Sequence, residues 1–280
     1  MKKILITGAN SYIGDSVKEY LLLEPNNYSV DIKDTINWTP QVSDFIGYDV
    51  VFNVAGIAHI KETSKNRHLY YEVNRNLVVR IAKAAKKAGV SQFILLSTMS
   101  VYGLTVGYIK KDTPMHPVNA YGKSKAQADK IIKKLEDESF RFACLRPPMV
   151  YGKNCKGNYQ SLRKFALASH MFPDYRNERS MIYIGNLCEF VKNIIDGEKG
   201  GLFFPQNSEY VCSSEMVSLI AKYNNKKIYL TKIFNWMIKR MNISIVNKVF
   251  GSLTYESTDL INRYGFEQSI CLTENIKEYS

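Results

Sequence analysis

The sequence predicts an α/β fold, a doubly wound parallel sheet followed by a smaller lobe. Three observations lead there. Strand-like and helix-like signals alternate from the N-terminus to about residue 155. A short glycine-containing turn joins the first strand to the first helix. The 280 residues suffice for one large α/β domain, or for a larger domain with a small lobe.

The elements follow in order. Residues 3–7 form a short β-rich run, and 12–23 carry helical periodicity that Pro25, Asn26 and Asn27 end. A second strand is expected over 28–32, and a third apolar run covers 49–55. Residues 69–88 read as a long helix closed by Gly89. A buried strand is expected at 92–97, a helix at 119–138, and a strand at 140–146 ended by Pro147 and Pro148. Strands alternating with helices imply parallel pairing with both faces covered, linked by right-handed crossovers. Beyond residue 155 the alternation loosens, with helices expected at 158–169, 186–196 and 213–224 and strands at 181–184 and 202–204. The expected division is 1–155 for the sheet domain and 156–280 for a smaller lobe interleaved with it.

Composition narrows the function classes. Lysine and arginine number 38 against 26 acids, a formal net charge of +12. The lysines spread along most of the chain and nothing resembles a nucleic-acid module, so no nucleic-acid partner is expected. No apolar run approaches the ~20 residues of a membrane span. The apolar stretch after Lys2 and Lys3 is shorter than the ~7–15 residues of a signal-peptide core. Cysteines 144, 155, 188, 212 and 271 form no CxxC pair, and histidines 59, 68, 116 and 170 lack metal-ligand spacing. Neither a disulfide framework nor a metal site is expected. Cys144 reads as core, and the protein reads as cytoplasmic. Residues 226–250 mix apolar side chains such as Ile233, Trp236 and Met237 with Lys226, Lys227, Lys232, Lys239, Arg240 and Lys248. Such a segment can make peripheral contact with a membrane surface. The commoner arrangement packs the apolar side on the domain and leaves the lysines in water.

Thr7-Gly8-Ala9-Asn10-Ser11-Tyr12-Ile13-Gly14 follows the first strand and opens the first helix. Small residues there let backbone amides approach a pyrophosphate at the positive helix N-terminus. Gly8, Asn10, Ser11, Tyr12, Ile13 and Gly14 are therefore candidate dinucleotide contacts. Ser11 stands where a glycine-rich turn would carry glycine; its hydroxyl fits and can donate to phosphate. Such a site also wants an acid near the end of the second strand for the adenosine ribose. Asp31 and Asp34 qualify, 17 and 20 residues past Gly14, and Asp34 at the strand tip is preferred. An acid there favours NAD over NADP, because it repels a 2'-phosphate. Tyr121 and Lys125 are four residues apart, which stacks them on one helix face. An ammonium beside a phenol favours the phenolate, so Tyr121 can carry a proton.

Further segments recur in a known order: Asn53-Val54-Ala55-Gly56, Asn74 after Tyr71-Glu72-Val73, and Ser97-Thr98-Met99-Ser100-Val101-Tyr102-Gly103. Leu145-Arg146-Pro147-Pro148-Met149-Val150-Tyr151-Gly152, Lys156-Gly157-Asn158-Tyr159 and Arg179-Ser180-Met181-Ile182-Tyr183 follow. Together they resemble the extended short-chain dehydrogenases/reductases of the NAD-dependent epimerase/dehydratase family. The resemblance implies a Rossmann-like fold binding NAD, with NADP as the alternative. It implies Ala55, Gly56, Asn74 and Pro147 near the nicotinamide, and Thr98, Tyr121 and Lys125 as the catalytic set. It places a UDP-sugar or related nucleotide-diphosphate sugar against Asn158, Arg179 and Tyr183 in the smaller, substrate-binding lobe. Arg179 suits the diphosphate, since guanidinium matches phosphate bidentately. His59, past the third apolar run, reads as a loop histidine that could approach the sugar.

The resemblance also separates reactions. A 4,6-dehydratase would carry Asp-Glu after the catalytic threonine, and here Met99 and Ser100 follow. What remains is a UDP-sugar 4-epimerase of surface polysaccharide biosynthesis, or a 4-keto-6-deoxy nucleotide-sugar reductase. An NAD(P)-sensing regulator on this fold would tend to lose the Tyr/Lys pair, which this chain keeps. A homodimer is implied by the resemblance alone.

Overall fold

Six parallel strands form the central sheet. They are β1 (Lys2–Thr7), β2 (Tyr28–Lys33), β3 (Val50–Asn53), β4 (Gln92–Leu96), β5 (Arg141–Leu145) and β6 (Gly201–Phe203). Their order is β6-β5-β4-β3-β1-β2, and every neighbouring pair is parallel. The chain leaves β1 to one side for β2 and returns to its other side for β3. That reversal puts the topological switch point between β1 and β3, where open α/β sheets bind ligands beyond the carboxyl ends of the strands. The structure is a computed structural model describing residues 1–274 apart from His59 and Asn242. The expectation for His59 thus lies outside the described residues.

Both faces of the sheet are buried, which is why its strands read as continuous apolar runs. Leu5, Val51, Phe93, Leu95, Phe142 and Cys144 alternate onto one face, in a single core with Leu77, Val78, Ile81, Ala85, Ala128 and Ile132. Ile4, Ile6, Phe52, Ile94 and Leu145 alternate onto the other and are fully buried. Cys144 is core, as expected, and all five cysteines are free.

The helices explain the small departures from the expected boundaries. α1 (Tyr12–Leu21) starts at the Ser11 cap and ends before Leu23, which is 73% exposed and has no surface to cover. The stretch expected as one helix over 69–88 is α2 (Arg67–Tyr71), a π-helical turn over Glu72–Leu77, and α3 (Val78–Lys87). The extra residue in a π turn rotates the helix face, and here Asn74 is fully buried. Gly89, at φ 85, closes the segment as expected. α4 (Ala120–Lys133) carries the Tyr/Lys pair and ends before 138, where the Asp137 carboxylate accepts from Ser139 and turns the chain back.

The chain divides into two compact units. The sheet unit takes residues 1–103, 114–147 and 187–205. The last of these includes β6 and most of α5 (Ile184–Asp196). The other unit takes 104–113, 148–186 and the described residues from 206 on. It is built from two-stranded parallel pairs: Met149–Tyr151 with Met181–Tyr183, Met171–Pro173 with Tyr229–Thr231, and Gly107–Ile109 with Leu253–Tyr255. The buried Glu274 carboxylate ties its helices, accepting from Tyr159 Oη, Arg163 Nε and Asn224 Nδ2 at 2.7 Å each.

Candidate active site

The end of β1 and the end of β3 meet with no room for a side chain. Gly8 has φ 117, and a Cβ there would stand 2.8 Å from the Ala55 backbone nitrogen. Ala55 N and Val54 N both donate to Thr7 O, and Thr7 Oγ1 donates to Asn53 Oδ1 at 2.9 Å. Asn10 sits in the left-handed region at φ 58, which asparagine tolerates better than most residues. Ser11 has φ −84, so glycine is not required there. Its Oγ accepts from Gly14 N at 3.4 Å and caps α1, which leaves the hydroxyl hydrogen to donate outward. Tyr12 and Ile13 form the first turn, at the positive end of the helix. Gly14 is small because a Cβ would lie 2.9 Å from Val54 Cγ2 and 3.2 Å from Ile6 Cγ2. The helix therefore packs tightly on the strands behind the turn.

At the tip of β2 the two candidate acids differ. Asp31 accepts from Tyr48 Oη at 2.8 Å. Asp34, one residue past the strand, accepts from Ile36 N through Oδ1 and shapes the loop. Lys33, between them, is drawn away toward Asp44 at 3.8 Å and lies 5.3 Å from the Trp38 ring centroid.

The loop after β3 is held by the π turn. Asn74 Oδ1 accepts from Ile57 N at 2.7 Å, while its Nδ2 donates to Ile57 O and Ser124 Oγ. One buried side chain thus fixes the loop and α4 together. Gly56 passes between them, where a Cβ would stand 3.1 Å from both Asn74 Oδ1 and Lys125 Nζ.

α4 brings in the catalytic candidates. Asn119 caps it, accepting from Gly122 N at 2.8 Å. Gly122 lies against the turn after β4, since a Cβ would stand 2.7 Å from Ser100 O. This contact brings Tyr121 toward Thr98, whose side chain acts to favour the phenolate and whose Oγ1 accepts from Ser100 N at 3.2 Å. Met99 N donates to Pro147 O at 3.1 Å, which joins the ends of β4 and β5 beside them. Lys125 is buried, and its Nζ donates to Leu96 O at 2.9 Å.

Electrostatics here differ from the sequence expectation. Burial pushes the Tyr121 phenol above its ordinary value, Thr98 opposes that, and Asp129 and Tyr70 add to it. Lys125 is not among the groups acting on the phenol, and its ammonium donates to the Leu96 carbonyl. Burial pulls Lys125 itself down to about 8, against the opposing influence of Asp129 and Cys144.

Beneath this set lies a buried network that the motifs did not reveal. Asp129 Oδ2 accepts from Ser97 Oγ at 2.9 Å and from Arg146 Nε at 3.0 Å. Arg146 Nη1 donates to Tyr102 Oη at 2.7 Å. Burial alone would lower the Arg146 guanidinium, but Asp129, Cys144 and Tyr102 hold it above its ordinary value. The signal was present in the sequence: Asp129 follows Lys125 by four residues, as Lys125 follows Tyr121.

The three remaining candidates lie in the other unit. Asn158 opens the helix Asn158–Ala168 and is exposed. Arg179 is half-buried and donates through Nη1 to Gly251 O at 2.6 Å and Asn247 O at 3.4 Å. Among the described residues no carboxylate forms an ion pair with it. Tyr183 packs edge-on to Tyr264, with ring centroids 5.4 Å apart. Among the described residues no group of His, Cys, Asp or Glu could hold a metal ion.

Comparison with known proteins gives consistent results. The family described as NAD dependent epimerase/dehydratase matches residues 4–201. A UDP-glucose 4-epimerase of Vibrio cholerae is 26% identical over 311 residues, covering 99% of this chain and 94% of that protein. An N-acetyl-alpha-D-glucosaminyl-diphospho-ditrans,octacis-undecaprenol 4-epimerase of Escherichia coli O157:H7 is 26% identical over 245 residues, covering 80% of this chain and 73% of that protein. The crystal structure of UDP-glucuronic acid 4-epimerase from Bacillus cereus in complex with NAD has the same fold. It is 19% identical, with a TM-score of 0.76, and covers 97% of this chain and 95% of its own.

Proposed function

The chain belongs to the NAD-dependent epimerase/dehydratase family, and from that premise we propose that it is an NAD-dependent UDP-sugar 4-epimerase of surface polysaccharide biosynthesis. The observation that carries the proposal is the meeting of Thr98, Tyr121 and Lys125 at the strand ends, beside a turn shaped for a pyrophosphate.

The residues present fit a dinucleotide. Gly8 keeps the turn flat, Ser11 has a hydroxyl hydrogen to give, and the first turn of α1 supplies positive dipole. Asp34 suits the two ribose hydroxyls and would repel a 2'-phosphate, which selects NAD. Ala55, Gly56, Asn74 and Pro147 would frame the position for the nicotinamide, which when bound would take up the carbon-4 hydride and return it. Tyr121 Oη accepts the proton of the sugar 4-hydroxyl as carbon 4 is oxidised, and returns it on re-reduction. Thr98 Oγ1 hydrogen-bonds the same oxygen, and Lys125, fixed by Leu96 O, orients the ribose. Met99 and Ser100 offer neither acid nor base for eliminating water. Arg179, a guanidinium without a carboxylate partner among the described residues, suits the diphosphate. Asn158 and Tyr183 complete the substrate contacts of this reading. A cytoplasmic homodimer belongs to it too, and the five free cysteines suit a reducing compartment.

The cofactor's fate tests the assignment. The purified protein is expected to carry tightly held nicotinamide and to interconvert carbon-4 epimers without consuming any. Stoichiometric consumption of reduced cofactor with a 4-keto sugar, and no epimer formed, would establish the reductase instead.

A further inference from the structure

Between Met216 and Tyr255 the chain contains no aspartate or glutamate, while Lys222, Lys226, Lys227, Lys232, Lys239, Arg240 and Lys248 all fall there. Seven of the net twelve positive charges are thus concentrated in one stretch. The same stretch buries Val217, Ile220, Ile238 and Leu253 but exposes several other large apolar side chains. Tyr229 is 67% exposed, Ile233 69% and Trp236 65%. Met237, Leu230 and Ile243 are exposed as well, as is Met171, the strand neighbour of Tyr229.

The sequence expectation was a helix packing its apolar side on the domain. The short helix Asn235–Arg240 does so with one residue only, Ile238. At about 100° of rotation per residue, Trp236 and Arg240 point away from Ile238. They meet on the outer side, with the guanidinium 6.0 Å from the Trp236 ring centroid. An exposed apolar patch rimmed by cations, with a tryptophan at its centre, matches the chemistry of a lipid headgroup boundary. Aliphatic and aromatic groups enter the acyl edge, and lysine stems reach back to anionic headgroups.

We propose that the exposed surface spanning residues 229–240 docks on an anionic lipid bilayer, with Ile233, Trp236 and Met237 inserted and Lys232, Lys239 and Arg240 at the headgroups. Charge complementarity selects this occupant: Lys232, Lys239 and Arg240 rim the patch, with Asp174 at 3.9 Å from Lys232, so the surface keeps a net positive charge that would oppose a second copy of itself. The inference is independent of the reaction assigned above.

Co-sedimentation with phosphatidylglycerol/phosphatidylcholine vesicles, against phosphatidylcholine alone, tests it on the full chain. The wild type is expected to sediment with the anionic vesicles only, and less at high salt. Ile233→Ser/Trp236→Ser/Met237→Ser and Lys232→Glu/Lys239→Glu/Arg240→Glu should each weaken binding by about tenfold or more. A Trp38→Phe protein, in which Trp236 is the sole tryptophan, should show blue-shifted emission on adding anionic vesicles; this readout does not depend on the folding of the triple variants. Failure of the wild type to sediment, triple variants that bind like wild type, or an unshifted Trp236 would each overturn the proposal. A serine variant that turns a dimer into a monomer, with no vesicle binding by either, would do so too and would assign the face to a second copy.

Discussion

At the residue scale, two side chains of the candidate site are set against their ordinary chemistry. Tyr121 is held protonated by burial, and Thr98 is the group that favours its phenolate. The rate of sugar oxidation should therefore rise with pH. Thr98→Val removes that opposing influence and should move the rise to higher pH, which a pH profile of kcat/KM reads directly. Lys125 titrates at about 8 when folded and at 10.5 as an ordinary lysine. Below its folded value both states are protonated, and the folded state bears the whole penalty of burying the charge, about 3 kcal/mol. Between the two values the unfolded state binds more protons, so stability rises with pH until the penalty is gone. Lys125→Met should thus stabilise the cofactor-free protein near neutral pH by ~1–3 kcal/mol. That advantage should shrink as pH approaches 10.5, which denaturation across the range would show. Tyr121, Lys125 and Thr98 were legible because spacing and motif order survive in sequence. Asp129 was not singled out, although its spacing from Lys125 was visible, because nothing local in the sequence pairs it with Arg146.

At the element scale, the turn after β1 carries the strictest requirement. Gly8 combines a φ of 117 with a backbone 2.8 Å from where a Cβ would sit. Gly8→Ala must separate the ends of β1 and β3 or strain both. A loss of ~1–4 kcal/mol in denaturant unfolding is expected, with NAD binding lost in calorimetry. Ser11→Gly is far milder, since φ at that position is already negative and only the cap is lost, a few tenths of a kcal/mol. Strands and helices of the sheet unit were legible because apolar runs and stop signals are local. The π turn was not: Glu72–Leu77 looks like ordinary helix, and only packing turns Asn74 inward. The short parallel pairs of the other unit were mostly missed as well. Strands of two or three residues, such as Gly107–Ile109 with Leu253–Tyr255, are defined by partners far away in sequence.

At the scale of the whole molecule, the order β6-β5-β4-β3-β1-β2 explains why residues so distant in sequence come together. The reversal at β1 and β3 sets Gly8 beside Ala55, and adjacent β4 and β5 end at Thr98 and Pro147. Alternation of elements foretold a parallel sheet, but not which strands lie side by side, because register is a long-range property. The net charge was legible as a number; its concentration beside exposed apolar side chains became visible only with burial. On the proposed reading, the carboxyl ends of these strands hold a proton-transferring tyrosine for hydride chemistry on a nucleotide sugar. Conversion of UDP-N-acetylglucosamine and UDP-glucose to their carbon-4 epimers, by wild type and by Tyr121→Phe with equal NAD bound, tests it most directly. Turnover by the wild type on at least one of them is expected, with a loss of about a hundredfold or more in the variant. Equal rates for the two proteins would contradict it.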